Sequence, residues 1–204
     1  MATVAWKLRA GRESDLPALA KLDSSFSNEW VLYLDRHGGA VEQTIELRWR
    51  KVRPGGRRRA LGADLHDIEA VVDDLRQDFE RSQRVVVAEK GRRVIGYLML
   101  GEQWNRTAEV NGIMVDAPYR RRGLGGRFVR EAEAFARRRK LRAVHWEAQT
   151  DNRDAIEFAI SQGFRIAGFN DALYENRGHE QQLAAGFRGL AVFLVKELNP
   201  GERR

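Results

Sequence analysis

The 204-residue chain predicts a mixed α/β fold in which strands and helices alternate around antiparallel hairpins. Three observations point there. The β-branched and apolar runs Arg84–Glu89 and Val94–Gly101 read as strands joined by the short connection Lys90-Gly91-Arg92-Arg93. Asp64–Glu80 repeats Leu65, Ile68, Val72, Leu75 and Phe79 at three- and four-residue steps, the period of an amphipathic helix. Val110–Leu141 then reads as strand, glycine-rich turn and helix. Its apolar run Ile113, Met114, Val115 stops at Asp116-Ala117-Pro118, because Pro118 has no N–H to continue a ladder. The helix after the turn places Leu124, Phe128, Ala132 and Phe135 on one stripe.

Taken in order, Val4–Leu8 reads as a first strand. Ser14 or Asp15 would cap a helix with Pro17 in its first turn and Leu16, Leu19, Ala20 and Leu22 beneath. The aromatic stretch Trp30–Leu34 follows. Arg48–Ala60 is the most basic run and reads as a solvated loop or linker, with an acidic partner as the alternative. For Asp64–Glu80 the default is a core helix docked by its apolar face, and a homodimer seam is the alternative. Trp104-Asn105-Arg106-Thr107 turns into the central strand at Glu109. Strand Ala143–Ala148, helix Arg153–Ser161 and strands Phe164–Phe169 and Gly189–Leu198 complete the chain, with Tyr174 and a polar loop between the last two.

Composition bounds the function. With 43% hydrophobic residues the chain can bury a core as one domain, 1–204. The absence of cysteine excludes disulfides, zinc–thiolate sites and a cysteine nucleophile. No apolar run approaches the ~20 residues that cross a bilayer, and no signal-peptide core follows Met1, so a cytoplasmic protein without a membrane partner is expected. The net charge of +7 would suit nucleic acid, a membrane surface or an anionic cofactor. Arginine supplies most of it, a pattern codon bias also produces, so nucleic-acid binding through Arg48–Arg59 is disfavoured.

The turn itself carries the chemistry. Arg120, Arg121 and Arg122 lead into Gly123-Leu124-Gly125-Gly126, which strips side chains from the first helical turn and leaves its N–H groups open. The helix dipole and the arginines both favour an anion there, so the turn reads as a diphosphate cradle. A plain basic surface turn is the competing reading. The dinucleotide fingerprint fails because Phe128 stands where glycine is needed, and a nucleotide P-loop fails because no lysine follows the glycines.

Arg120-Arg121-Arg122-Gly123-Leu124-Gly125 matches a pattern of arginine or glutamine, two free positions, glycine, one free position, then glycine or alanine. In this the chain resembles the GNAT superfamily of N-acetyltransferases. Asn152-Arg153-Asp154-Ala155-Ile156 and the helix ending at Gln162-Gly163-Phe164 extend the resemblance across about Val85–Leu198. It implies a mixed, mostly antiparallel twisted sheet of about six to seven strands flanked by helices, with residues 1–83 on the acceptor side and 84–198 as the coenzyme-binding core. It implies acetyl-CoA as co-substrate, no metal, and an amine acceptor. The coenzyme would be held by Arg120, Arg121, Arg122, Gly123, Leu124, Gly125, Gly126 and Asn152, with backbone N–H groups of Ile113, Met114 and Val115 on the pantetheine and acetyl oxygen.

Acetyl transfer requires two substrates in contact, a stabilised oxyanion and a proton taken from the attacking nitrogen. Glu147 is the first choice of base and His145 the second; two positions apart on one strand, they share a face. A hydrogen-bonded sheet histidine and a structural ion pair are the plainer readings of the two. Where the family commonly has tyrosine as the thiolate's acid, four residues before Gly-Phe, the chain has Ala159; Tyr174 or Tyr119 are the substitutes. Phe26, Trp30, Tyr33 and Asn111 are expected at the acceptor, with core filling competing for the three aromatics. Leu22-Asp23-Ser24-Ser25-Phe26, Trp104-Asn105-Arg106 and Asp171-Ala172-Leu173-Tyr174 are similar to the streptothricin (nourseothricin) acetyltransferase group. Asn111, Gly112 and Met114 depart from that group, which is often acidic there. A small-molecule amine is therefore the lead acceptor, with a peptide acceptor or a coenzyme-binding module with little catalysis as alternatives.

Overall fold

The computed structural model describes residues 6–27, 29–52, 57–59 (backbone only), 68–173 and 190–198. Its main sheet has seven strands: β1 (Lys7–Ala10), β6 (Arg84–Lys90), β7 (Arg93–Glu102), β8 (Thr107–Val115), β9 (Ala143–Gln149), β11 (Ala191–Glu197) and β10 (Arg165–Asn170), in that spatial order. β1, β6, β7 and β8 pair antiparallel in sequence, whereas β8 and β9 pair parallel across the crossover helix α3 (Leu124–Arg138). The mixed α/β class and the strand number are as the sequence predicts.

The chain forms two compact units. One comprises Met1–Ser25, Arg59–Trp146 and Val195–Arg204. Here Leu16, Leu19, Leu22, Val71 and Leu75 pack with Val87, Tyr97 and Met99, which places α1 (Leu16–Leu19) and α2 (Ile68–Glu80) on one sheet face. Phe128, fully buried on α3, reaches Gly96 on the other face. The predicted stripe Leu124, Phe128, Ala132 and Phe135 is buried throughout. In α2 the buried positions are Val71 and Leu75, while Ile68 is 41% exposed; Leu65 lies outside the described residues.

The start of the chain differs from expectation. Glu13–Asp15 is a single 3-10 turn; Asp15 stands at the N-cap of α1 with Pro17 in the first turn, as expected, but its side chain makes no capping hydrogen bond. Its carboxylate instead accepts from the Arg12 N–H at 2.8 Å and from both terminal nitrogens of Arg9 at 2.7 Å. That pairing with Arg9 holds the Asp15 carboxyl below its usual range.

The other unit comprises Phe26–Arg58 and Glu147–Leu194. Here the basic run is not simply a loop. Arg48–Lys51 ends β4 (Gln43–Lys51), which pairs antiparallel with β3 (Trp30–Gly38), Leu32 opposite Trp49 and Leu34 opposite Leu47. Arg57–Arg59 forms a short strand β5, paired with β2 (Ser25–Ser27). Helix α4 (Arg153–Ser161) buries Ile156 and Ala159. No helix among the described residues is long and apolar enough to cross a membrane.

Candidate active site

In the first unit the decisive feature is where β8 loses its neighbour. Its parallel pairing with β9 runs from Thr107–Ala143 to Val110–Trp146 and stops, while its antiparallel pairing with β7 continues to Val115 opposite Gly96. Asn111–Val115 therefore pair on one side only, and alternate N–H groups of this stretch face away from β7. The β7–β8 register also slips: Met99 faces Gly112 but Leu100 faces Val110, so Asn111 is the extra residue of a bulge. Close packing holds the bulge in place. A Cβ on Gly112 would lie 2.9 Å from the Tyr97 ring, and one on Gly96 would lie 2.6 Å from the Met114 carbonyl oxygen.

Beyond β8, Asp116 is 1% exposed and anchors the turn. Its Oδ1 accepts from the Asp23 N–H at 2.9 Å and its Oδ2 from Arg93 at 2.8 Å. Arg120 does not present its guanidinium freely to a ligand. Nε donates to the Val115 carbonyl at 2.9 Å, and the two terminal nitrogens donate to Ser25 O at 2.5 Å and Asp23 O at 3.0 Å. The first arginine of the motif braces the loop against the end of β8 and against residues 23–25. Arg121 and Arg122 are exposed. Arg121 adopts φ +60° and Gly123 φ +84°, and a Cβ on Gly123 would meet nothing within 4 Å.

Gly123 is the N-cap of α3 and no side chain caps the helix. The first N–H of the helix to find a backbone acceptor is that of Arg127, to Gly123 O at 3.1 Å. The N–H groups of Leu124, Gly125 and Gly126 thus stay open beside exposed guanidinium groups, an arrangement that fits an anion. Arg122 and Arg93 lie 5.7 Å and Lys90 5.6 Å from the Tyr119 ring centroid, adding positive charge beside the turn.

Half-buried His145 stands opposite Glu109 in the parallel register. Burial pushes its imidazole below the usual value, and the charge of Glu109 only partly opposes this, so the ring is neutral near pH 7. Glu109, which also accepts from the Gln103 amide, was missed in the sequence. Its signal was a carboxylate within a largely apolar strand, the same signal that singled out Glu147.

In the second unit, Glu147 is half-buried on β9, and strand alternation puts it on the face of His145 and Gln149. Asn152 caps α4, its Oδ1 accepting from the Ala155 N–H at 3.2 Å, which leaves its amide nitrogen for a ligand. Phe26 is 5% exposed, and so fills core. Trp30 and Trp49 flank the Arg153 guanidinium at 5.0 and 5.2 Å, and Arg50 lies 4.8 Å from the Tyr33 ring. Trp30 and Tyr33 are thereby half-buried rather than core. Ala159 is fully buried. Tyr174 lies outside the described residues.

The profile of the acetyltransferase (GNAT) family matches residues 44–164. The chain belongs to this family. It is an acetyl-CoA-dependent N-acetyltransferase by that membership. Against a streptothricin acetyltransferase of Streptomyces lavendulae the acetyltransferase is 26% identical over 185 residues, 88% of this chain and 92% of the relative. Two crystal structures share its fold. One is a putative streptothricin acetyltransferase from Bacillus anthracis in complex with acetyl coenzyme A, with TM-score 0.70, 22% identity, and 95% of this chain and 100% of that one covered. The other is a nourseothricin acetyltransferase, with TM-score 0.74, 22% identity, and 95% and 98% covered.

Proposed function

We propose that this acetyltransferase moves the acetyl group onto a primary amine of a small molecule, by direct attack while both substrates are bound, and that a streptothricin-type antibiotic is the acceptor. The observation that carries the acceptor class is the full-length likeness to the Streptomyces lavendulae enzyme, which spans 88% of this chain and not the coenzyme motif alone. The open first turn of α3, next to the one-sided stretch Asn111–Val115, supports binding of the coenzyme along β8.

Each residue has a role in this reading. N–H groups of Leu124, Gly125 and Gly126, with Arg121 and Arg122, hold the diphosphate. Arg120 keeps the turn in shape through its three carbonyl contacts. Outward N–H groups among Ile113, Met114 and Val115 orient pantetheine and the acetyl oxygen; one such oxyanion donor typically contributes ~10²–10³ in rate. Glu147 takes the proton of the attacking nitrogen, and neutral His145 is the second acceptor for it. Tyr174 protonates the departing thiolate, a modest task because a thiol pKa is only ~8.5. Asn152 donates to the coenzyme through its amide nitrogen.

The test is free-thiol release from acetyl-CoA across nourseothricin, simple amines and peptides. Saturable release with nourseothricin is expected. Release with peptides alone would transfer the proposal to a peptide acetyltransferase, and saturable coenzyme binding with no release would leave a binding module.

A further inference from the structure

Among the described residues strand β4 (Gln43–Lys51) has a neighbour on one side only. It pairs with β3 along all nine of its residues without a bulge, and the two strands form a sheet of their own. Two backbone bonds fix which of its groups turn outward. Val52 N–H donates to Glu29 O at 2.8 Å, one position beyond the pair Trp30–Lys51. Leu32, opposite Trp49, instead donates its N–H away from β4, to Thr150 O at 2.9 Å. Bonded and non-bonded pairs alternate along an antiparallel ladder, so Thr44, Glu46, Arg48 and Arg50 bond to β3. The N–H and C=O groups of Gln43, Ile45, Leu47, Trp49 and Lys51 face the open edge, and among the described residues they find no backbone partner there.

An edge of this length without proline, glycine or a bulge is a template for a further strand, and its side chains decide which strand fits. A second copy of β4 fits. Brought antiparallel across a two-fold axis at Leu47, the midpoint of β4, the two copies overlap along the whole strand. Leu47 then faces its own copy, Ile45 faces Trp49 and Gln43 faces Lys51. All of these carry open backbone groups, so each outward N–H meets a carbonyl. Between them Glu46 faces Arg48, and Thr44 faces Arg50. Moving the axis one residue either way sets Glu46 against Glu46 or Arg48 against Arg48, and like charges directly opposite are destabilising. Within one chain Arg48 already pairs with Glu46 on the same face. Across the axis each gains a second unlike neighbour, so the four groups alternate in sign. On the other face Ile45, which is 39% exposed, gains the half-buried Trp49 of the second copy as a cross-strand partner.

We propose that two copies of this chain associate through β4, antiparallel about a two-fold axis at Leu47, and join their β3–β4 hairpins into one continuous sheet. The partner is a second copy because the strand is complementary to itself in both charge and backbone register. The surface differs from the apolar face of α2, which the sequence offers as a dimer seam and which packs Val71 and Leu75 into the core of its own chain. The inference is independent of the acceptor assigned above.

The test is a charge swap between copies, read by sedimentation equilibrium on the full-length protein. The wild type is expected to dimerise below about 100 μM. E46R alone opposes arginine to arginine, and R48E alone opposes carboxylate to carboxylate, so each is expected to self-associate at least about 10-fold more weakly. An equimolar mixture of E46R and R48E makes every opposed pair unlike again and is expected to recover dimers, which a change within one chain cannot bring about. Amide hydrogen exchange on the wild type needs no variant. The N–H groups of Ile45, Leu47 and Trp49 are expected to exchange more slowly as concentration rises, whereas those of Glu46 and Arg48, already bonded to β3, change less. A wild type that stays monomeric at about 100 μM overturns the proposal. So does a dimer in which the Ile45, Leu47 and Trp49 amides exchange as fast as in the monomer, or a mixture that associates no better than either variant alone.

Discussion

Replacing Arg120 by alanine separates two roles that the motif alone leaves together. As a phosphate ligand, its loss would weaken coenzyme binding and leave the fold untouched. The structure gives it three backbone carbonyls, those of Val115, Ser25 and Asp23, at 2.9, 2.5 and 3.0 Å. A hydrogen bond from a charged donor contributes about 1.5–3 kcal/mol. The three share one guanidinium and are only part-buried, so water recovers much of the loss, and we expect a net destabilisation of about 2–4 kcal/mol. For a domain of this size each kcal/mol moves the midpoint by about 2–4 °C, so Tm should fall by at least about 4 °C. Lysine should not rescue it, because an ammonium cannot reproduce the planar fork that reaches three acceptors. Urea denaturation and calorimetry with coenzyme A, run on the same R120A sample, read both quantities. Stability within about 0.5 kcal/mol of wild type, combined with a large loss of coenzyme affinity, would refute the brace.

Two further outcomes follow from the same geometry. Gly96→Ala should cost about 1–3 kcal/mol in urea denaturation, because its Cβ would meet the Met114 carbonyl oxygen at 2.6 Å and the Phe128 ring at 3.2 Å, so β8 must shift. The folded His145 pKa lies below its unfolded value of ~6.5, so the unfolded chain binds the extra proton first; stability should fall as pH drops from about 6.5 toward the folded pKa, and H145N should remove that slope.

Much of the fold could be read from the chain because it rests on local periodicity. Helix α4 runs over Arg153–Ser161 as its pattern predicts, and β8 ends at Val115, just before Asp116-Ala117-Pro118, where Pro118 forbids a ladder. The β3–β4 hairpin is legible in principle, since Ile45, Leu47 and Trp49 alternate with polar residues, but the arginines from Arg48 onward overlay that alternation with the charge of a solvated loop. Ion pairs such as Asp35–Arg50 at 2.6 Å give that charge a partner across the hairpin. The site was less legible, and for a physical reason. The motif announces an anion cradle, but whether Arg120 points at a ligand or at carbonyls depends on residues 23–25, far away in sequence. The Asn111 bulge is likewise a property of the β7–β8 register, and the neutrality of His145 comes from burial that no spacing encodes.

The most direct test of the diphosphate cradle is calorimetric titration of coenzyme A and of pantetheine, which lacks the diphosphate, on the wild type and on Gly125→Val. The cradle predicts that the wild type binds coenzyme A at least about 100-fold more tightly than pantetheine, and that the variant loses most of that ratio while still binding pantetheine. Equal affinity for the two ligands in the wild type, or a ratio unchanged by the valine, would contradict it.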